Sequence, residues 1–353
     1  MIKKFSINAI SPKIILTALV AFSFLKDIHA QAIGGNAAYN FLKLPSAPQL
    51  SALGGINVSN ISSDLGLAAN NPALIRTNLD QQLMVSFNAL YAGVKNFSSA
   101  YAYRYEPWSA NFSAAVHFLD YGNIITTDAS GNISGNMRPR DYSVQLSASR
   151  SYEKHWHYGA TVKFINSNYG IYRSSAIALD LGVNYYDSTK GLQAGLLLKN
   201  MGAQLKKYEG SSADGLPFDI QLGITKKLAN APLQFSFTAH HLHQFDIRYA
   251  DTAFDNSNGM QGSGRGSFTI DKVFRHFVFA AQVFVSDKIE LTAGYNHLKR
   301  RELVISNSAT GLTGFSIGAG ATFRKLQIRY ARSHYQNNTG YNQFALNLPL
   351  DKF

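Results

Sequence analysis

The chain has 353 residues, no cysteine, a formal net charge of +12 and a mean hydropathy of −0.11. The absence of cysteine excludes a disulfide-stapled fold, a lipid-modified N-terminal cysteine and a thiolate metal site. Charged residues make up 15% of the chain and aromatic residues 12%, whereas a soluble domain has roughly 25% charged residues. After the first thirty residues no stretch reaches ~18 uninterrupted apolar residues, which argues against a helical membrane protein. These features are typical of a transmembrane β-barrel.

The positive charge is scattered along the chain, without a basic helix or an aromatic RNA-binding motif. Nucleic acid is therefore not the indicated partner. Attraction to anionic lipid head groups explains the charge better.

Residues 1–30 have the pattern of a signal peptide. Lys3 and Lys4 form a positive first region, an apolar core follows at 14–25, and residues 28–30 suit cleavage before Gln31. The apolar run is too short for a spanning helix. The sequence predicts an exported chain that begins at Gln31.

The next segment, residues 31–80, shows no sustained alternation of apolar and polar side chains. It contains Gly-Gly pairs at 34–35 and 54–55 and prolines at 45, 48 and 72. We expect short turns and helical pieces here. The segment is too apolar to be a free tail, and we predict that it forms a plug or a periplasmic segment.

From Gln81 to the end the chain alternates with a period of two, which is the pattern of β-strands. Leu83, Val85 and Phe87, for example, share a face opposite Met84 and Ser86. The predicted strands lie at about 83–91, 99–105, 110–118, 142–149, 158–164, 177–184, 192–199, 220–225, 233–240, 272–285, 289–296, 315–323, 326–332 and 343–350. The even count of fourteen suits an antiparallel barrel over residues 81–353.

The last predicted strand places Phe344, Leu346 and Leu348 on one face. An exposed edge strand needs a partner, so we predict that this strand closes the barrel against the first one. The C-terminal Phe353 resembles the terminal assembly signal of outer-membrane barrels, although it is out of phase with the apolar face. Pro349 cannot donate to a strand ladder.

The connections between strands alternate in length. Short connections follow the even strands, near 106–107, 153–155, 187–190, 229–231, 286–288 and 324–325. Long connections follow several odd strands, at 120–140, 202–215, 244–266 and 299–313. Short turns on one rim and long loops on the other are the outer-membrane barrel pattern. A fourteen-stranded lumen needs filling, and residues 31–80 are long enough to fill it.

Several motifs together carry a family resemblance. They include Ala37-Ala38-Tyr39-Asn40-Phe41-Leu42, Ala52-Leu53-Gly54-Gly55, Asn71-Pro72-Ala73-Leu74, Leu119-Asp120-Tyr121-Gly122, Lys199-Asn200-Met201-Gly202 and Leu216-Pro217-Phe218-Asp219. With these motifs the chain resembles the PorQ family, outer-membrane components of the type IX secretion system of Bacteroidetes. The resemblance covers nearly the whole predicted mature chain.

This resemblance implies a FadL-like fourteen-stranded barrel that serves protein secretion and is not an enzyme. It implies that the barrel anchors a PorZ-like surface protein, in concert with a PorU/PorV-type complex that attaches cargo to lipopolysaccharide. We expect the long loops at 120–140 and 244–266 to make the contact. The partner-contact residues that we predict are Phe254, Asp255, Met260 and Arg265.

The histidines 240, 241 and 243 invite a metal interpretation. On a regular strand, His241 and His243 would share a face and His240 would point the other way, which leaves too few ligands for zinc. We therefore predict rim histidines and no metal site. The glycine-rich run at 262–266 lacks the strand–turn–helix frame of a phosphate cradle. No cofactor is predicted.

Lys299, Arg300 and Arg301 fall on the predicted outer rim, where we predict contact with lipopolysaccharide phosphates. Lys163 and Asp180 fall on lumen-facing positions of adjacent strands, as paired lumen charges do. No Ser/His/Asp spacing singles out a nucleophile and a base. The alternative function is a FadL-like transporter of small hydrophobic solutes, which needs a lateral opening or a path through the lumen, with an apolar pocket beneath the 31–80 segment. A general porin would instead conduct ions steadily.

Overall fold

The computed structural model describes residues 37–210, 214–247, 269–302, 311–324, 326–336 and 339–350. The predicted signal peptide and its cleavage site lie outside the described residues. So do the predicted partner-contact residues Phe254, Asp255, Met260 and Arg265, the glycine-rich run at 262–266, and Phe353.

Fourteen antiparallel strands of the described chain close into one barrel, which confirms the predicted fold class. Phe87 on the first strand lies opposite Phe344 on the last, so the predicted closure is also confirmed. The barrel strands are β1 (Gln82–Ala89), β2 (Lys95–Tyr105), β3 (Ala110–Asp120), β6 (Arg140–Tyr152), β7 (Trp156–Tyr169), β8 (Tyr172–Asp187), β9 (Leu192–Lys206), β10 (Asp219–Lys227), β11 (Leu233–Ala239), β12 (Phe277–Ser286), β13 (Ile289–Asn296), β14 (Phe315–Phe323), β15 (Leu326–Gln336) and β16 (Thr339–Pro349). A separate hairpin, β4 (Ile124–Thr127) with β5 (Ile133–Met137), stands in the loop after β3.

The two faces of each strand differ as the alternation predicts. On β1, Val85 and Phe87 face outward and are exposed, whereas Ser86 and Asn88 face the lumen and are buried. Closure pairs every strand on both sides, so no ladder edge is left open to lipid. None of the described helices has the length and apolar character needed to cross a membrane.

The rims differ in loop length. Turns of a few residues join β2 to β3, β6 to β7, β8 to β9, β10 to β11, β12 to β13 and β14 to β15. The opposite rim carries the β4–β5 hairpin and the long connection after β13. By the outer-membrane pattern the first is the periplasmic rim and the second the outer rim.

Four short helices and five 3-10 turns complete the described chain. The helices are α1 (Pro48–Ala52), α2 (Leu65–Ala68), α3 (Ile270–Phe274) and α4 (His297–Glu302). The 3-10 turns are Asn40–Lys43, Pro72–Leu74, Thr77–Leu79, Tyr91–Gly93 and Glu106–Trp108. The prediction that a strand starts at residue 272 is therefore wrong. The helix α3 occupies that position, and β12 begins at Phe277.

Strand β9 carries a β-bulge that the sequence did not reveal. Leu181 pairs with Leu198 and Leu179 pairs with Met201, so two residues of β9 lie opposite Asp180 alone. One of the two is Asn200, which has a left-handed backbone with φ of 58°. Asparagine tolerates this conformation better than most residues.

Residues 37–80, here called the internal segment, pack inside the barrel. The segment starts at the outer rim, where the amide of Ala38 donates to the carbonyl of Gly215. It reaches the periplasmic rim, where Asp80 accepts a hydrogen bond from the amide of Arg104. Its apolar side chains form much of the core, with Leu53, Leu65, Leu67 and Leu79 fully buried. It fills the lumen along its length.

Lumen-facing polar side chains hold the internal segment. The amide of Asn60 donates to Gln282 over 2.6 Å, and the backbone amide of Ile61 donates to Gln193 over 2.7 Å. Further bonds join Ser51 to Gln343, Ser59 to Thr225, Arg76 to Asn184 and Asn296 to the carbonyl of Gly54. A buried segment with irregular backbone needs such partners, because no water can satisfy its polar groups.

Glycines let the segment approach the wall. A Cβ added at Gly195 would lie 2.2 Å from the carbonyl oxygen of Val58, and one at Gly294 would lie 2.4 Å from that of Ala52. Both glycines face the lumen. A side chain at either position would therefore push the segment away from the strand.

Candidate solute pocket at the outer rim

An apolar pocket of about 350 Å³ opens at the outer rim between the internal segment and the ends of β1, β3, β15 and β16. We call it the outer pocket. Its lining residues are Asn40, Phe41, Leu44, Leu90, Tyr91, Val94, Leu119, Tyr121, Tyr335 and Tyr341. The volume lies within the range of small-molecule sites, roughly 300–1,000 Å³.

Two tyrosines of the outer pocket, Tyr121 and Tyr335, have hydroxyl groups that are hydrogen-bonded within the chain. The Tyr121 hydroxyl donates to Oδ2 of Asp141 over 2.7 Å, and burial raises the pKa of Tyr121, so the donor stays protonated. The Tyr335 hydroxyl accepts from Nζ of Lys299 over 3.2 Å. The rings of Tyr335 and Tyr341 meet edge-on, with centroids 5.1 Å apart. The pocket is thus aromatic in character.

The floor of the outer pocket comes from the first turn of the internal segment. Phe41 is buried, and its ring centroid lies 5.6 Å from that of His117 on β3. His117 is in turn fixed by Asn96 on β2, whose side-chain oxygen lies 2.7 Å from Nε2. A movement of the internal segment would therefore remove one side of the pocket.

A second pocket, also about 350 Å³, lies at the periplasmic rim. We call it the inner pocket. Its walls are mainly polar and include Asn60, Gln193, Gln234, Gln282 and Arg329. The packed internal segment separates it from the outer pocket, so passage through the lumen requires that segment to move.

A groove of about 570 Å³ lies on the outward face of β10–β14. The small side chains of Ala281 and Ala293 form its base, between exposed rings such as Phe235, Phe279 and Phe315. The outward face of such a barrel is the face that meets lipid. The groove is not a lumen site.

The cations predicted to meet lipopolysaccharide lie on α4, and each has a partner within the chain. The ammonium group of Lys299 lies 4.6 Å above the ring of Tyr335. The guanidinium of Arg300 lies 5.9 Å from the Phe315 ring, and Nε of Arg301 lies 2.9 Å from Asp271. Contact of these three residues with lipopolysaccharide stays a prediction.

The three histidines lie at the outer end of β11, as predicted, but their orientation differs from a regular strand. Nδ1 of His240 lies 2.5 Å from Nδ1 of His241, and the two rings meet edge-on, with an angle of 72° between their planes. The strand ends at Ala239, and His241 has a left-handed backbone with φ of 53°. The alternation that placed the two rings on opposite faces ends before it reaches them.

No local sequence pattern predicts the outer pocket. Its walls combine the internal segment with residues at the outer ends of barrel strands, such as Leu119 and Tyr341, which are far apart in the sequence. The motif at 119–122 carries the family resemblance and also contributes Leu119 and Tyr121 to the pocket wall.

Two solved barrel structures have the same fold as this chain. The Ralstonia pickettii toluene transporter TbuX aligns with a TM-score of 0.50 at 11% identity, covering 87% of this chain and 98% of that one. The CymD monoaromatic hydrocarbon channel aligns with a TM-score of 0.50 at 11% identity, covering 88% and 97%. A FadL homologue from Pseudomonas aeruginosa aligns less well, at 0.43 and 10% identity, covering 81% and 94%.

At these identities the likeness concerns the fold alone. No family model matches the chain, and no curated protein matches it. The chain forms a closed barrel of fourteen antiparallel strands, which is the fold of the FadL-like outer-membrane barrels.

Proposed function

We propose that the protein passes small hydrophobic solutes across the outer membrane and takes them up at the outer pocket. The observation that carries this proposal is the apolar, aromatic-lined volume of about 350 Å³ at the outer rim. A pocket of this size and character suits a small apolar or aromatic molecule. The likeness in fold to TbuX, a toluene transporter, and to CymD, a monoaromatic hydrocarbon channel, supports the same solute class.

Passage follows a simple sequence in this proposal. A solute leaves the outside medium for the outer pocket, where Phe41 and Leu44 of the internal segment form part of the wall. A shift of the internal segment then joins the outer pocket to the inner pocket, which is polar and favours release. The internal segment is the gate in this proposal, because its hydrogen bonds to the barrel wall must break before it can move.

The test is uptake of radiolabelled toluene by intact cells that lack other transporters for it, because the lipopolysaccharide leaflet resists such solutes. Val94→Glu and Leu44→Glu each place a carboxylate in the outer pocket, and a charge in an apolar site disfavours an apolar ligand. We expect uptake to fall by about tenfold or more, the equivalent of ~1.4 kcal/mol. Leu205→Glu is the control, because Leu205 is 63% exposed on β9 and does not line the pocket. Equal uptake by all of these variants would refute the proposal.

A second candidate function is the docking of a surface partner, and the β4–β5 hairpin favours it. Ile125 and Ile133 on this hairpin are 61% and 72% exposed, above the outer rim and away from the barrel wall. Exposed apolar side chains of this kind suit a protein contact. The type IX hypothesis assigns the contact to a PorZ-like protein within a PorU/PorV-type complex.

One pair of measurements separates the two functions. Replacement of residues 123–138 by a short Gly/Ser linker removes the hairpin and leaves the outer pocket. Loss of a co-purifying surface protein with unchanged toluene uptake would favour docking. Unchanged co-purification, together with the uptake loss in Val94→Glu, would favour transport.

A further inference from the structure

We propose that Asp219, His240 and His241 bind one divalent transition-metal ion of the zinc type at the outer rim. One ligand atom from each of the three side chains lies within 4.8 Å of the other two. The inference is independent of the proposed function, because these residues do not line the outer pocket.

The donor set matches the chemistry of such an ion. Imidazole nitrogen and carboxylate oxygen are common zinc ligands, with metal–ligand distances of about 2.0–2.2 Å. Oδ2 of Asp219 lies 3.8 Å from Nδ1 of His241, close to the separation of ~3.4 Å that a tetrahedral site of that size requires. The two Nδ1 atoms, 2.5 Å apart, would separate slightly around an ion.

The surroundings leave ring nitrogens without protein partners. His240 is fully buried, and its Nε2 has no hydrogen-bond partner among the described residues. Nδ1 of the neighbouring His243 is also buried and unpartnered in the part of the chain that the structure describes. These two nitrogens are additional donor atoms beside the three proposed ligands.

Contacts around the site fix the ligands in place. The backbone amide of His241 donates to Oδ1 of Asp219 over 2.5 Å, and Nε2 of Gln221 donates to Oδ2 over 2.6 Å, which leaves the remaining lone pair of Oδ2 for an ion. His276 donates from Nδ1 to the carbonyl of His240 over 2.8 Å and so holds the turn after β11. Bonds of this kind orient the ligands of known metal sites.

The backbone of His241 gives a second, independent argument. A left-handed φ of 53° is uncommon for a histidine and costs conformational energy. That strain turns two consecutive side chains toward each other instead of to opposite faces. Strain of this kind collects at functional sites.

Two cationic side chains near the site disfavour the binding of a positively charged metal ion. Lys43 of the internal segment acts on His241, and Lys299 of α4 acts on His240. Asp219 is the carboxylate that offsets them at the site. Asp219 is therefore the ligand whose negative charge makes binding of the proposed ion favourable.

The test begins with the full-length protein, purified in detergent without chelator and analysed for metals by mass spectrometry. After removal of metals, the protein is titrated with Co²⁺ and with Zn²⁺. We expect one equivalent to bind, with the visible absorption of a low-symmetry Co²⁺ site that Zn²⁺ abolishes. Absence of saturable binding would overturn the proposal.

The variants Asp219→Asn and His241→Gln keep a polar side chain of similar size but remove a ligand. We expect each to weaken binding by at least ~100-fold, above the effect of removing an outer-shell partner. His155→Gln is the matched control, because His155 lies at the periplasmic rim and donates to the carbonyl of Tyr186. The barrel's heat-dependent gel mobility confirms folding of each variant. Equal Co²⁺ binding by the control and the two variants would overturn the assignment.

Discussion

The ammonium nitrogen of Lys163 on β7 lies 2.5 Å from Oδ2 of Asp180 on β8, and both side chains are buried inside the barrel. Asn200 completes the group. Its side-chain oxygen accepts from Lys163 over 2.9 Å, and its backbone amide donates to Oδ1 of Asp180 over 2.7 Å. The bulge in β9 therefore serves this pair, because it frees the Asn200 amide from the ladder and turns it to the carboxylate.

Removal of one partner should destabilise the barrel strongly. Asp180→Leu leaves the ammonium of Lys163 buried without its counter-ion, which costs about 3–5 kcal/mol. The double change Lys163→Met with Asp180→Leu should recover most of that loss, because no charge is left buried. Urea unfolding in lipid vesicles measures both. A double variant as unstable as the sum of the two single variants would contradict this explanation.

Strand alternation predicted most of the barrel because it reports a physical boundary. Side chains such as Val85 and Phe87 must meet lipid, and their neighbours must meet the lumen. The alternation of lipid-facing and lumen-facing side chains ends where the pairing between strands ends. Ala239 is the last residue of β11 and pairs with Phe277, so residues 270–274 lie beyond the last pair of the two strands and form α3 instead.

The same limit explains why the arrangement of the candidate functional residues could not be predicted from the sequence. His240 and His241 lie just past the end of β11, where the period of two no longer applies. The outer pocket depends on the path of the internal segment, and that path is set by glycines such as Gly195 and by distant polar partners. None of these contacts has a local signature in the sequence.

A methyl group at position 195 should displace the internal segment without opening the barrel. The new Cβ would lie 2.2 Å from the carbonyl oxygen of Val58, and a backbone atom cannot rotate away. Overpacking of this kind costs about 1–3 kcal/mol. We expect Gly195→Ala to raise ion conductance in planar bilayers.

The control for this experiment is Gly215→Ala, since a Cβ there meets nothing within 4 Å. It should conduct like the unchanged protein. Equal conductance of Gly195→Ala and Gly215→Ala would show that the internal segment accommodates the added methyl group without being displaced. Heat-dependent gel mobility should be normal for both.

The contact between α3 and α4 should weaken in acid. Asp271 accepts from Nε of Arg275 and lies 2.9 Å from Nε of Arg301 and 3.1 Å from Nε2 of His297. Burial alone would raise the pKa of Asp271, but the hydrogen bonds from Arg275 and His297 and the nearby charges lower it below 3.8 overall.

A lowered folded pKa means that the unfolded carboxyl binds more protons, so stability rises with pH in this window. The contribution is complete above pH 3.8 and is lost as pH falls through the lowered pKa of Asp271. Hydrogen exchange of α4, corrected for intrinsic rate, should therefore speed up below about pH 4. Asp271→Asn should exchange faster at pH 6 and show less change on acidification. Identical pH profiles for the two proteins would rule out Asp271 as the cause.

The last prediction concerns Arg329, which joins the internal segment to the wall. Its Nε lies 3.0 Å from Asp64, its Nη1 donates to Gln49 over 2.8 Å, and Glu290 on β13 accepts from the same Nη1. Asp64 also caps α2 by accepting from the amide of Gly66 over 2.8 Å. One guanidinium thus holds both helices of the segment against β13 and β15.

Arg329→Met leaves the carboxylates of Asp64 and Glu290 without their shared cation, at a cost of about 3–5 kcal/mol. The closed ladder of the barrel does not depend on Arg329, so the internal segment should detach first. We expect faster protease cleavage between residues 37 and 80 and higher conductance, with normal gel mobility of the barrel. Arg138→Met is the control, because Arg138 is half exposed and does not contact the internal segment, and Asp120 keeps a hydrogen bond from the amide of Gly122 when Arg138 is removed. Global unfolding of Arg329→Met, with cleavage spread over the whole chain, would mean that barrel and segment form one cooperative unit and that the segment cannot act as a gate.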